Sequence, residues 1–241
     1  MLKVYLVPIL NDNYVHVIVN TTSRDCAIVD PGVAAPVREF MRREGLTPRA
    51  LLLTHHHDDH IGGASELRRE FGLVTYAPFM EMDSIDFADV YLQEPEHFEV
   101  LGTQMQVLQL RGHTRGHIGY FAPSEKWLFS GDVLFSMGCG RVFEGTMDQH
   151  YQSLQKIKSL PADTKIFCAH EYTENNLNFF KASGQPASVA VDTYALRVRD
   201  LRRQNQFTVP FPLSQELEMN PFLRAESLEE FTKLRLLRNT F

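Results

Sequence analysis

"THHHDDH", residues 54–60, packs four of the chain's ten histidines and two aspartates into seven positions. Buried, such groups are costly unless something pairs with them, and exposed crowding brings no gain. Metal coordination is the usual cause. An apolar run, Ala50–Leu53, leads into the cluster and Gly62–Gly63 follow it. A strand therefore enters the stretch, and a turn into a helix leaves it. Alternate side chains of extended backbone share a side, so His55, His57 and Asp59 are expected to point together, with His60 at the turn. His56 and Asp58 fall on the other side and are read as non-ligands. The loop thus offers two sets, His55 with His57 and Asp59 with His60. A closed structural zinc site rich in cysteine is not in view. Nor is a zincin helix, because His57 stands where that motif needs glutamate.

One loop cannot complete two coordination shells, and three later segments supply candidates. His113 in RGHTRGH follows the apolar run 105–110, Asp132 in FSGD follows 126–130, and His170 in FCAHEY follows 164–168. Further strands are expected at 3–9, 14–20, 26–30, 50–54, 73–77, 98–102 and 117–123, with helices at 35–45, 63–72 and 147–160. Two halves, each running strands, helix, strand, point to two packed sheets with helices outside. From about residue 171 the pattern turns helical, interrupted at 207–222 by a segment with three prolines that reads as a connector. Asp30 in VDPG is read as a partner to a ligand histidine in preference to a turn former. His117 is either such a partner or structural, and His16, His97 and His150 read as packing or surface residues.

A net charge of −6 argues against nucleic acid as the main partner. Residues 1–174 carry 15 Lys and Arg against 23 Asp and Glu, whereas 175–241 carry 9 against 7. The mildly basic tail suits an anionic small molecule. No stretch approaches the roughly 18 apolar residues of a membrane helix, and the N-terminus reads as a first strand, not a signal peptide. Cys26, Cys139 and Cys168 have no framework spacing and are expected as free thiols, which places the protein in the cytoplasm. No unexplained apolar face stands out, so a monomer is expected.

THHHDDH, GHTRGH, SGD, GCGR-x-FEG and AHEYT, in this order, resemble the metallo-β-lactamase superfamily. GCGRVFEG (138–145) and AHEYTENN (169–176) narrow the resemblance to glyoxalase II, the hydroxyacylglutathione hydrolases. The resemblance implies an α/β protein: an αββα sandwich of two mixed sheets with outer helices, spanning 1–171, plus a helical substrate-binding domain at 172–241. It implies two divalent metal ions, zinc first with iron or manganese as alternatives. His55, His57 and His113 would hold one ion, Asp59, His60 and His170 the other, and Asp132 would bridge them. The implied reaction is hydrolysis of S-D-lactoylglutathione by activated solvent, with Asp59 handling its proton, as the second step of methylglyoxal detoxification. Arg141, Phe143, Tyr172, Arg235 and Arg238 match positions that contact glutathione; Phe143 lacks the hydroxyl that a tyrosine supplies in some relatives. Arg235 and Arg238 are spaced i, i+3, as two carboxylate clamps would be. The competing readings are a lactonase, a phosphodiesterase and an iron persulfide dioxygenase of the same fold. No Ser-based nucleophile motif is visible.

Overall fold

The computed structural model describes residues 1–186 and 188–241. The first half builds one six-stranded mixed sheet. β1 (Leu2–Ile9), β2 (Asn13–Asn20) and β3 (Asp25–Val29) pair antiparallel. After α1 (Ala34–Glu44), β4 (Thr47–Leu52) pairs parallel to β3. The short α2 (Asp58–Ile61) and α3 (Ala64–Phe71) then lead to β5 (Val74–Pro78), and β6 (Val90–Leu92) closes the sheet in parallel order. Parallel neighbours require such crossovers, because a tight turn cannot reverse the chain twice. α1 forms where its apolar spacing puts it: Val37, Phe40 and Met41 are buried, and Gly45 ends it in the left-handed region at φ 61°.

The second half repeats the scheme. β7 (His97–Val100), β8 (Thr103–Gln109), β9 (Ile118–Ala122) and β10 (Trp127–Gly131) form an antiparallel run. A small hairpin, β11 (Leu134–Phe135) with β12 (Gly138–Cys139), and α4 (Met147–Lys158) precede β13 (Lys165–Cys168), which lies parallel to β10. Ile18, Val29 and Leu52 of the first sheet pack against Val107, Tyr120 and Phe129 of the second. The outer faces are covered too, by α1 and α3 on one side and α4 with the C-terminal helices on the other. β2 therefore reads NYVHVIVN and is buried at every position but its last.

The tail adds β14 (Phe211–Pro212), antiparallel at the edge of β13, and the helices α5 (Thr173–Ala182), α6 (Val189–Arg203), α7 (Leu213–Met219), α8 (Pro221–Arg224) and α9 (Leu228–Asn239). The expected connector at 207–222 thus holds a strand, a helix and the start of another. Two of its three prolines begin helices where they were expected to interrupt them. Pro212 is the N-cap of α7, and Pro221 sits in the first turn of α8, where a missing N–H costs nothing. Asn220 caps that helix by accepting the Phe222 N–H at 3.0 Å. Phe211, Leu213, Phe222, Phe231 and Leu234 share one apolar cluster with Leu128 and Ile166 of the second sheet. Each such buried side chain contributes about 1.5–3 kcal/mol, so the tail is built into the core and does not hang from it.

Candidate metal centre

β3, β4, β10 and β13 all end at one rim, and the chemistry-bearing residues follow those ends. The alternation expected in THHHDDH holds only as far as His57. α2 starts at Asp58, so Asp59 and His60 reach the rim from a helical turn and not from extended chain. His55 Nε2 lies 3.1 Å, and His113 Nε2 3.0 Å, from His57 Nδ1. Asp59, His60 and His170 form a second group, with both histidine Nε2 atoms 3.5 Å from Asp59 Oδ2. Asp132 stands between the groups. Its Oδ2 is 3.4 Å from His113 Nε2, while its Oδ1 is 3.5 Å from His60 Nε2 and 3.3 Å from His170 Nε2. All seven expected ligands are therefore brought together, and His56 and Asp58 stay outside.

The donor set fits a pair of cations. Nε2 of His60 and Oδ1 of Asp132 are buried with no hydrogen-bond partner, a costly state unless a cation is the intended partner. Hydrogen bonds on the far side of four of the five rings fix the tautomer. Nδ1 of His113 donates to the Arg141 carbonyl at 2.8 Å. Nδ1 of His60 faces Asp30 Oδ2 at 3.0 Å, and Nδ1 of His170 faces Asp12 Oδ1 at 2.9 Å. Thr54 gives its hydroxyl proton to Asp30 at 2.7 Å, so its oxygen accepts from His55 Nδ1 at 3.0 Å. Four rings thus turn a bare Nε2 lone pair toward the centre, as metal ligands must. Zinc, iron and manganese all suit imidazole and carboxylate without thiolate.

Electrostatics agree. Burial opposes protonation of His60, yet the Asp132 charge and the Asp30 hydrogen bond lift its pKa well above the ordinary value. His170 is likewise raised to about 9 against its burial, by Asp132 and Asp12. Burial also works against ionising Asp132, but His170 and His60 hold its carboxyl well below the usual range. Burial and the neighbouring imidazoles hold His55 well below its usual value. Around Asp132 the carboxylates thus favour positive charge on His60 and His170, whereas burial disfavours it on His55, His57 and His113.

Asp132 owes its place to its neighbours. His117 accepts the Asp132 backbone N–H at 3.1 Å and stacks 4.8 Å from the His55 ring, so of the two readings offered for His117 the partner role fits. Gly131 turns at φ 49°, and a Cβ there would lie 2.5 Å from His117 Nε2. His16 and His150 are buried packing residues, His150 stacked on Phe231 at 5.8 Å, and His97 is exposed.

Beside the centre opens a cleft of about 240 Å³ lined by Arg141, Tyr172, Asn176, Arg235, Arg238 and Phe241, among others. Tyr172 stacks flat on the His170 ring at 4.6 Å. Phe143 is exposed and meets His57 and His113 edge-on, under the Arg141 guanidinium. Arg238 is half-buried over Phe179 and Phe241. Arg235 lines the same cleft. It is buried, and its guanidinium donates to the Cys139 carbonyl at 2.7 Å, the Gly140 carbonyl at 3.3 Å and Asn239 Oδ1 at 3.1 Å.

Asp12 and Asn13 were missed in the sequence. Asn13 donates to Asp59 Oδ2 at 2.8 Å and bridges to His170; the NDN turn after an apolar strand was the available signal. Asn176, which holds the Ser136 carbonyl at 3.0 Å, lay inside the quoted AHEYTENN. Glu216 and Asn220, which grip the β11–β12 hairpin at Met137 and Gly138, carried no signal.

A family model described as the metallo-beta-lactamase superfamily matches residues 10–84 and 79–170, and one described as hydroxyacylglutathione hydrolase C-terminus matches 171–241. Hydroxyacylglutathione hydrolase of Bdellovibrio bacteriovorus is 46% identical over 243 residues, covering 98% of this chain and 97% of its own. The enzyme of the same name from Vibrio campbellii is 45% identical over 229 residues, at 95% and 89% coverage. Among solved structures, the BLEG-1 B3 metallo-beta-lactamase superposes with a TM-score of 0.71 at 25% identity, covering 92% of this chain and all of that one.

Proposed function

The chain belongs to the metallo-β-lactamase superfamily and, within it, to the hydroxyacylglutathione hydrolases, and from that premise we propose that it hydrolyses S-(2-hydroxyacyl)glutathione thioesters, S-D-lactoylglutathione foremost, to the 2-hydroxy acid and glutathione. The single observation that carries the reading is Asp132, whose two oxygens face two separate ligand groups. His55, His57 and His113 are assigned to one cation, Asp59, His60 and His170 to the other, and Asp132 to both. Two divalent ions held by these residues would supply a Lewis acid for the carbonyl and would make hydroxide available near neutral pH. Zinc is the assignment we favour.

The residues of the chain do the rest. Asn13 fixes the Asp59 carboxylate at the centre, where we assign it the proton of the attacking solvent. A C–O bond forms at the thioester carbonyl and the C–S bond breaks, with the pair of electrons leaving on sulfur. A thiol has a pKa of about 8.5, so the thiolate departs without a protein acid. Arg141 and Arg238 line the cleft and are assigned to the two glutathione carboxylates, with Tyr172 beside them and Phe143 exposed under the Arg141 guanidinium. Arg235 we assign to holding the Cys139–Gly140 segment of that wall. On this division of labour residues 172–241 form the substrate side of the site. The lactonase and phosphodiesterase readings find no such support: the relatives that match over nearly the whole chain are named hydroxyacylglutathione hydrolase, and the model matching 171–241 carries that name too. Among the described residues no helix is long and apolar enough to cross a membrane. Three buried free thiols fit a reducing compartment, and we propose a cytoplasmic monomer that does not engage nucleic acid.

Arg238→Gln is expected to raise KM for lactoylglutathione about tenfold with kcat little changed, the loss of one charge-assisted hydrogen bond made equally in ground and transition states. Steady-state kinetics at saturating metal read this. The function itself is tested by following thioester absorbance with chelated and metal-replete protein. Turnover is expected only in the replete sample; its absence there overturns the proposal.

A further inference from the structure

Glu81 is a buried carboxylate outside the ligand set. It ends the 3-10 turn Phe79–Glu81, in a segment with no apolar pattern, and only 5% of it is exposed. Burying a carboxylate is unfavourable unless its oxygens are used, and here both are. Oε1 accepts from the Thr114 hydroxyl and, at 3.0 Å, from the Gly116 N–H. Oε2 lies 2.9 Å from His56 Nδ1. These partners belong to two different loops. His56 sits between ligands His55 and His57, whereas Thr114 and Gly116 follow ligand His113. The fit is close: a Cβ on Gly116 would fall 2.4 Å from Glu81 Cγ.

The connection continues past His56. Its Nε2 lies 3.1 Å from Glu144 Oε1, which is also 3.7 Å from His57 Nε2. The Glu144 backbone N–H returns to the His113 carbonyl at 3.3 Å. His56, outside the seven proposed ligands, is thereby given a use: it is the link between the two carboxylates.

We propose that Glu81 is a positioning residue for the His55–His57–His113 group, clamping the loop at 54–60 to the loop at 113–116 through His56, Thr114 and Gly116. The inference rests on the metal-centre reading above and predicts a site-selective defect. Without Glu81, three donors in two loops lose their common acceptor, and the first cation site loosens. The Asp59–His60–His170 group is oriented by Asp30, Asp12 and Asn13 instead and is untouched.

The test titrates metal-free full-length protein with divalent cobalt, following its visible absorption, for wild type, Glu81→Ala, Glu81→Gln and His56→Ala. Wild type is expected to take two ions. Glu81→Ala is expected to take one normally and the other about 10- to 100-fold more weakly, as outer-partner losses do. Glu81→Gln keeps an oxygen for Thr114 and Gly116 and offers an N–H to His56, so it is expected to recover most of the affinity. Hydrogen exchange of the Gly116 amide in the metal-free chain supplies a readout independent of metal. Protection is expected to fall in Glu81→Ala and to persist in Glu81→Gln. Wild-type cobalt binding by Glu81→Ala overturns the proposal. If that variant does not fold, wild-type binding of both ions by His56→Ala overturns it equally. A wild-type chain that takes fewer than two ions instead defeats the underlying reading of the centre.

Discussion

Asp132→Asn is expected to lower kcat/KM for lactoylglutathione by about 10²–10⁴-fold. The substitution preserves shape and removes one negative charge from the point where both ligand groups meet. His60 and His170 each face its Oδ1, and His113 its Oδ2, so an amide presents a nitrogen to one side. Removing one partner from a buried charged set costs about 3–5 kcal/mol, and each 1.36 kcal/mol is a factor of ten in rate. The loss belongs mainly in kcat, because Arg141, Tyr172 and Arg238 still line the cleft. Kinetics with metal content measured on the same sample check it. A variant that holds two ions and keeps more than a tenth of the wild-type kcat contradicts the bridging role.

Gly140→Ala is expected to be the most damaging single methyl in the protein outside the ligands. A Cβ at this position would stand 1.8 Å from the Asp132 carbonyl oxygen. The atom struck is backbone, so no rotamer change relieves it. The Gly140 N–H donates to Val133 at 3.1 Å, and its carbonyl accepts from Arg235, so the segment is held from both sides. Overpacking costs about 1–3 kcal/mol where side chains yield, and the upper end or beyond is expected here. Urea unfolding of metal-free protein measures the destabilisation, and cobalt titration measures the displaced Asp132. Unchanged unfolding would remove the claim that the GCGR segment is pressed against the strand end that carries the bridge.

Both effects trace to residues that the sequence displays, though not for equal reasons. The seven candidate ligands were legible because they follow apolar runs, and a sheet sandwich gathers strand ends at one rim. His56 could be set aside from alternation alone, since it precedes the helical turn that broke the alternation at Asp58. What orients the ligands was less visible. Asp12, Asn13 and Glu81 act across 158, 46 and 25 residues of chain, and no local pattern records such a distance. Arg235 was legible as a cleft residue, but its backbone contacts were not. Its spacing from Arg238 marks a shared helical face, but only packing reveals that one of its guanidinium nitrogens also holds the Cys139 and Gly140 carbonyls. The connector at 207–222 failed for a plain reason: a proline in a first turn starts a helix as readily as one elsewhere breaks it.

X-ray absorption at the metal edge of the loaded enzyme reaches the heart of the matter. Two ions per chain, in a shell of nitrogen and oxygen without sulfur and with metal–metal scattering at about 3.5–4 Å, are the expected result. A single isolated ion, or a sulfur neighbour from Cys139 or Cys168, would contradict it.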